Sequence, residues 1–224
     1  MSAEKRPEFS PFFYKLTQIV LLALYRLFFN FKIYGAENVP ADNRGVILAP
    51  NHASYLDPPI LGISLKRPIT YLAKEYLFKK PLLSRLICWL GSIPIKSQTD
   101  DFRTIRQLVR ALKEGKQILL FPEGTRSLDG NFREPEGGVG FLALKSGAVV
   151  VPVYISGTFD AYPKGAKWFR CKPVRVYFGK PFVPAMEKDL TGRENPYLAV
   201  SQRIMSDIKK IKEEVRSWHM QYKG

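Results

Sequence analysis

The stretch GVILAPNHASYLDPPI, residues 45–60, passes from an apolar run through a polar turn into the start of a helix. Residues 46–49 read as a strand. Pro58 biases Asp57 away from the helical region, and Asp57 followed by Pro58 and Pro59 reads as an N-cap with prolines in the first turn. Between strand and helix stand His52 and Asp57, five residues apart. On a straight helix that spacing would separate the two side chains by about 140°, so a loop has to bring them together. A loop-held carboxylate fixes the tautomer of an imidazole and stabilises its protonated form. The free ring nitrogen can then take a proton from a hydroxyl, an effect of roughly 10²–10⁴-fold. A histidine that caps or packs at a strand end fits the same short pattern.

A second apolar run, residues 117–121, leads into FPEGTRS, residues 121–127. A turn after that strand places Glu123, Thr125 and Arg126 at one end of a sheet, where ligands of α/β folds collect, and Gly124 permits close backbone approach. Arg126 suits bidentate binding of phosphate. Glu123 either accepts hydrogen bonds from a substrate hydroxyl or holds Arg126. Thr125 and Ser127 are poor nucleophile candidates, because the chain has no GxSxG elbow.

Outward from these two motifs, strand-like runs at 69–73, 93–95, 149–154 and 173–178 alternate with helix-like stretches from Pro58 and at 101–114 and 139–146. The alternation predicts an α/β fold with a largely parallel central sheet covered by helices. An apolar stretch spans residues 82–90. A closing amphipathic helix is expected over 197–218, where Leu198, Met205, Ile208, Ile211, Val215 and Trp218 recur near helical period. Gly138, Gly140 and Ala143 match the spacing GxGxxA but follow REPEGG instead of a strand, which favours a tightly packed helix start over a dinucleotide site.

The chain has 224 residues and a formal charge of +15, enough length for one sizeable core and a charge that calls for an anionic partner. Residues 66–110 hold ten basic and three acidic side chains, and residues 161–180 hold six basic and no acidic ones, interleaved with aromatics. Basic and aromatic together suit a membrane interface. No nucleic-acid-binding motif accompanies the charge, so nucleic acid is not an expected partner. Cys88 and Cys171 lack metal-ligand spacing, and GxxxxGK[ST] and HExxH are absent, which removes the ordinary support for zinc chemistry or nucleotide hydrolysis.

Residues 12–34 are heavily apolar, yet Lys15, Gln18, Arg26 and Asn30 fall on one narrow helical stripe. The longest apolar run, residues 19–25, is short and ends at Arg26, so the helix is expected to lie in a bilayer surface instead of crossing it. Glu4 and Glu8, with no small-residue cleavage site, argue against a secretory signal. A core-packed first helix is the alternative. The expected division is a membrane-associating helix over residues 1–34 and an α/β domain over 35–224.

Four blocks in order resemble the glycerolipid acyltransferase family, and within it the lysophosphatidic acid acyltransferases. They are NHASYLD (51–57), GSIPIK (91–96), FPEGTRS (121–127) and VVPVYISGT (150–158). The resemblance implies a one-step acyl transfer to a glycerol hydroxyl from a thioester of acyl carrier protein or coenzyme A. His52 would be the general base and Asp57 its partner. Glu123, Gly124, Thr125 and Arg126 would line the acceptor site, with Arg126 on the phosphate. Where the second block commonly carries arginine, this chain has Lys96 and Ser97, so a phosphate contact there falls to Lys96 or to Arg103 or Arg106. Glu136 and Gly137 stand where the family often has a basic residue. Pro152 and Val153 would shape the site. The activated thioester makes metal and cofactor unnecessary, with backbone donors holding the oxyanion. The implied acceptor is lysophosphatidic acid, giving phosphatidic acid; another lysolipid, glycerol phosphate or a lyso-ornithine lipid are the alternatives. The implied location is peripheral or monotopic, on the cytoplasmic face of a phospholipid membrane.

Overall fold

The structure is a computed structural model and describes residues 9–95, 102–184 and 195–221. Its centre is β2 (Val46–Pro50), buried along its whole length, so that a continuous apolar run suits a strand covered on both faces. Parallel neighbours flank it. On one side is β6 (Gln117–Leu119), followed by β3 (Ile69–Thr70); on the other is β7 (Val149–Ser156). Beyond β7, β8 (Arg175–Phe178) runs antiparallel and is itself joined in parallel by β1 (Lys32–Tyr34) at the sheet edge. The six-stranded order is β1-β8-β7-β2-β6-β3, and a separate parallel pair joins β4 (Leu72–Lys74) to β5 (Ile93–Ile95). The largely parallel, helix-covered sheet expected from the alternation is therefore present, with one antiparallel pairing.

Alternate residues of each central strand feed two cores. Val46, Leu48, Val151 and Val153 meet Tyr25 and Phe29 of α1 (Pro11–Phe29) and Ile60 and Leu61 of α2 (Asp57–Ser64). Ile47, Ala49, Ile118 and Val150 meet α4 (Phe102–Lys113), α5 (Gly138–Ser146) and α7 (Pro196–Gln221). Fully buried side chains such as Ile47, Leu48, Ile60 and Leu61 each contribute about 1.5–3 kcal/mol relative to exposure. α3 (Pro81–Trp89) occupies the apolar stretch before β5, and the short α6 (Thr158–Ala161) follows β7. Gly140 explains the glycine spacing at the start of α5. A Cβ there would lie 2.0 Å from the Tyr197 carbonyl oxygen of α7, and its N–H donates to Ser201 Oγ at 3.1 Å.

Several boundaries differ from expectation. Residues 69–73 do not form one strand: Ile69 and Thr70 pair with β6, whereas Leu72 to Lys74 leave that sheet for β5, and Tyr71 stands between. Asp57 is the first residue of α2, after Leu56 as N-cap, because its carboxylate turns back toward the preceding loop. The polar stripe of α1 is not wholly solvated. Gln18 is buried and donates to the carbonyls of Gly62 and Leu65 at 2.8 and 2.6 Å, satisfying orphan carbonyls at the end of α2. α1 packs inward through Tyr14, Gln18, Tyr25 and Phe29 and shows Phe12, Leu16, Ile19, Val20, Leu24 and Leu27 outward. The expected boundary at 34/35 falls just after β1, whose three residues pair with β8.

Candidate active site

β2, β6 and β7 run in parallel and their C-terminal ends lie side by side, so the loops that follow them share one edge of the sheet. Asn51 fastens the first loop. Its side chain donates to the Ile155 carbonyl at 3.1 Å and accepts the Ile155 N–H at 2.8 Å, continuing the β2–β7 pairing with an amide in place of backbone. The chain then turns. Asp57 Oδ2 accepts hydrogen bonds from the Ala53 and Ser54 amides, both at 2.8 Å, and lies 2.9 Å from His52 Nδ1.

That geometry assigns the proton. An ionised carboxylate already receiving two N–H donors acts as acceptor, so Nδ1 carries hydrogen and Nε2 presents its lone pair. The Asp57 side chain is fully buried and that of His52 is 15% exposed, enough for one edge of the ring to meet a substrate. Phe121 covers a face of the imidazole, with centroids 3.6 Å apart and planes 15° apart.

The second motif grips the first through its backbone. Glu123 is buried, and its two carboxylate oxygens accept the His52 and Arg133 amides, each at 2.8 Å. Burial pushes its pKa up, the two amide donors work against that shift, and the charge on Asp57 adds to it. The Ser127 N–H donates to the His52 carbonyl at 2.8 Å, so His52 is held at both backbone groups. Gly124 has φ +65°, a left-handed backbone that glycine adopts without strain, and its bare Cα lets the Glu136 carboxylate approach. Thr125 is exposed beside it.

Arg126 is half-buried with its guanidinium carbon 3.4 Å from the centroid of the Tyr55 ring. Its Nη1 is buried and meets no hydrogen-bond acceptor among the described residues, which fits a site for an anion brought by a ligand. Ser54 Oγ donates to the Tyr162 carbonyl at 2.6 Å and joins the turn to the basic, aromatic loop after α6.

The structure thus brings His52, Asp57, Glu123, Gly124, Thr125 and Arg126 into one loop cluster. Lys96 lies outside the described residues; Arg103 and Arg106 stand near the start of α4. Glu123 engages backbone amides, a role that neither reading from its residue type anticipated. Asn51, Tyr55 and Phe121 also shape the site. Only their position inside or beside the two motifs pointed to them.

A histidine–aspartate pair beside a cation, at the C-terminal edge of parallel strands, is the layout of a hydroxyl-activating group-transfer catalyst. The Acyltransferase family model matches residues 30–156, and this chain belongs to that family. It is 32% identical over 160 residues to the chloroplastic 1-acyl-sn-glycerol-3-phosphate acyltransferase LPAT1 of Arabidopsis thaliana, covering 69% of this chain and 44% of the relative. It is 24% identical over 208 residues to the Bacillus subtilis 1-acyl-sn-glycerol-3-phosphate acyltransferase, covering 90% and 98%. The crystal structure of the 1-acyl-sn-glycerophosphate (LPA) acyltransferase PlsC from Thermotoga maritima matches with a TM-score of 0.76 and 28% identity, over 91% of this chain and 79% of that one. The chain spans about half the length of the plant and algal relatives it matches.

Proposed function

We propose that this chain transfers a fatty acyl group from a thioester, of acyl carrier protein or coenzyme A, to the sn-2 hydroxyl of lysophosphatidic acid. The observation that carries the reading is His52, held by Asp57 through Nδ1 so that Nε2 is left for substrate, in the same loop cluster as an Arg126 whose buried Nη1 lacks an acceptor among the described residues. His52 Nε2 takes the hydroxyl proton as the acceptor oxygen attacks the thioester carbonyl. The tetrahedral oxyanion collapses, the C–S bond breaks, and the thiolate leaves with the proton returned by the imidazolium. Asp57 holds the ring and stabilises its charged form. The thioester is already activated, so this route needs no metal or cofactor.

Two surfaces support the lipid part of the reading. An apolar cavity of about 220 Å³ opens between α1, α2 and α3, lined in part by Leu21, Pro58, Pro59, Ile63, Ile87 and Leu90. Pro58 and Pro59, which directly follow Asp57 in α2, form part of its wall and join the cavity to the helix that carries the catalytic carboxylate. The outward face of α1 meets the phospholipid surface, in a peripheral or monotopic arrangement on the cytoplasmic face.

Acyl transfer to lysophosphatidic acid and to uncharged monoacylglycerol, measured for wild type and Arg126→Ala, tests the acceptor. Charge-assisted hydrogen bonds of roughly 1.5–3 kcal/mol imply a rise in KM for lysophosphatidic acid of about 10–100-fold in the variant. Monoacylglycerol should be a poor acceptor for both. Equal use of the two acceptors by wild type, or an unchanged KM in Arg126→Ala, contradicts the reading.

A further inference from the structure

Tyr55 lies inside NHASYLD, between base and carboxylate, at a position where the chemistry makes no demand. It is 60% exposed, large and aromatic, and folding alone does not account for it. Its ring carries the Arg126 guanidinium at 3.4 Å from the centroid, the tight end of cation–π distances. The Tyr162 ring stands 6.3 Å away, and Tyr162 is itself tied to the turn through Ser54 Oγ. A guanidinium stacked on a ring has one flat face covered and its N–H groups still directed outward in its plane. Such a side chain loses rotamer freedom and keeps its capacity for bidentate phosphate binding. The buried Nη1 that has no partner among the described residues belongs to this stacked guanidinium.

We propose that Tyr55 is a positioning residue for the acceptor's phosphate: its ring is the platform that holds Arg126 at a fixed reach from His52. Tyr55 and His52 share one turn whose backbone is tied to Asp57, so the platform links the phosphate-binding cation to the base. The distance from phosphate to reacting hydroxyl is set by the acceptor. A fixed distance from Arg126 to His52 therefore selects which hydroxyl reaches Nε2. The inference rests on the phosphate-binding role given to Arg126 above.

The test uses the full chain with Tyr55→Ala, Tyr55→Phe, Arg126→Ala and the Tyr55→Ala/Arg126→Ala double variant. Dissociation constants for lysophosphatidic acid in mixed detergent micelles and acylation kinetics are both measured. Tyr55→Ala should raise Kd and KM about 2- to 30-fold, the span from an exposed to a desolvated cation–π contact, with kcat within about threefold. Tyr55→Phe, which keeps the ring, should restore wild-type binding, and the double variant should bind no more weakly than Arg126→Ala alone. Unchanged Kd in Tyr55→Ala, additive losses in the double variant, or a Phe variant as weak as Ala would overturn the proposal. A wild type that binds lysophosphatidic acid without acylating it overturns the reaction, while the Kd comparison still decides the platform. A wild type that does not bind it overturns both.

Discussion

Glu123 illustrates how a side chain inside a chemical motif can act on the chemistry through backbone. Its two oxygens are taken by the His52 and Arg133 amides, so it sets where His52 sits. Glu123→Gln turns an NH₂ group toward one of those amides and leaves a buried donor unpaired, a cost of about 1–3 kcal/mol. Urea unfolding should show that loss, and kcat should fall as the catalytic turn loosens while KM for the acceptor stays within about twofold. A large rise in KM with stability intact would instead make Glu123 a direct ligand of the acceptor. The carboxylate's presence in the motif was readable from sequence. Its partners were not, because a backbone N–H has no residue identity by which sequence could announce it. Tyr55 was hidden for a related reason: its ring matters only once Arg126, far along the chain, folds onto it.

Among the elements, α1 departs most from the behaviour of a globular surface helix. It packs through Tyr14, Gln18, Tyr25 and Phe29 and turns its wider apolar side away from the sheet, whereas an ordinary amphipathic helix turns its apolar stripe toward the core. By length and composition it could cross a membrane; its outward face suits lying on one. Replacing Phe12, Ile19 and Leu27, which are 71%, 57% and 75% exposed, with serine should cost no more than about 1.5 kcal/mol in total, at about 0.5 kcal/mol for each surface site. Flotation with phospholipid vesicles should show partitioning weakened on the order of 100-fold or more, since each buried large apolar side chain contributes about 1.5–3 kcal/mol. Unaltered flotation would remove this face from membrane contact. Helical period revealed the stripe of Lys15, Gln18, Arg26 and Asn30, but not that Gln18 would be the residue capping α2. Periodicity places residues around an axis; tertiary packing decides which side is covered. The split of residues 69–73 has the same origin, since a five-residue apolar run carries no sign of leaving one sheet for another.

Across the whole molecule, the order of strands and helices between β2 and β8 was readable because each parallel connection carries its own helix and the apolar periods change visibly between them. The edge was not. β1 pairs with β8 across more than 140 residues, a contact between distant segments that no local pattern announces. The parallel alignment of β2, β6 and β7 places the loops that follow them at one edge, so two short motifs separated by a helix-rich stretch become one site. The claim on which that assembly turns is that His52 Nε2 takes the acceptor's proton. The direct measurement is acyl transfer from a labelled long-chain thioester to lysophosphatidic acid in detergent, for wild type and His52→Ala with matching circular dichroism. Wild type should form phosphatidic acid with one thiol released per ester, and His52→Ala should be slower by about 10²–10⁴-fold or more. A folded His52→Ala protein within tenfold of wild type would contradict the assignment of the base.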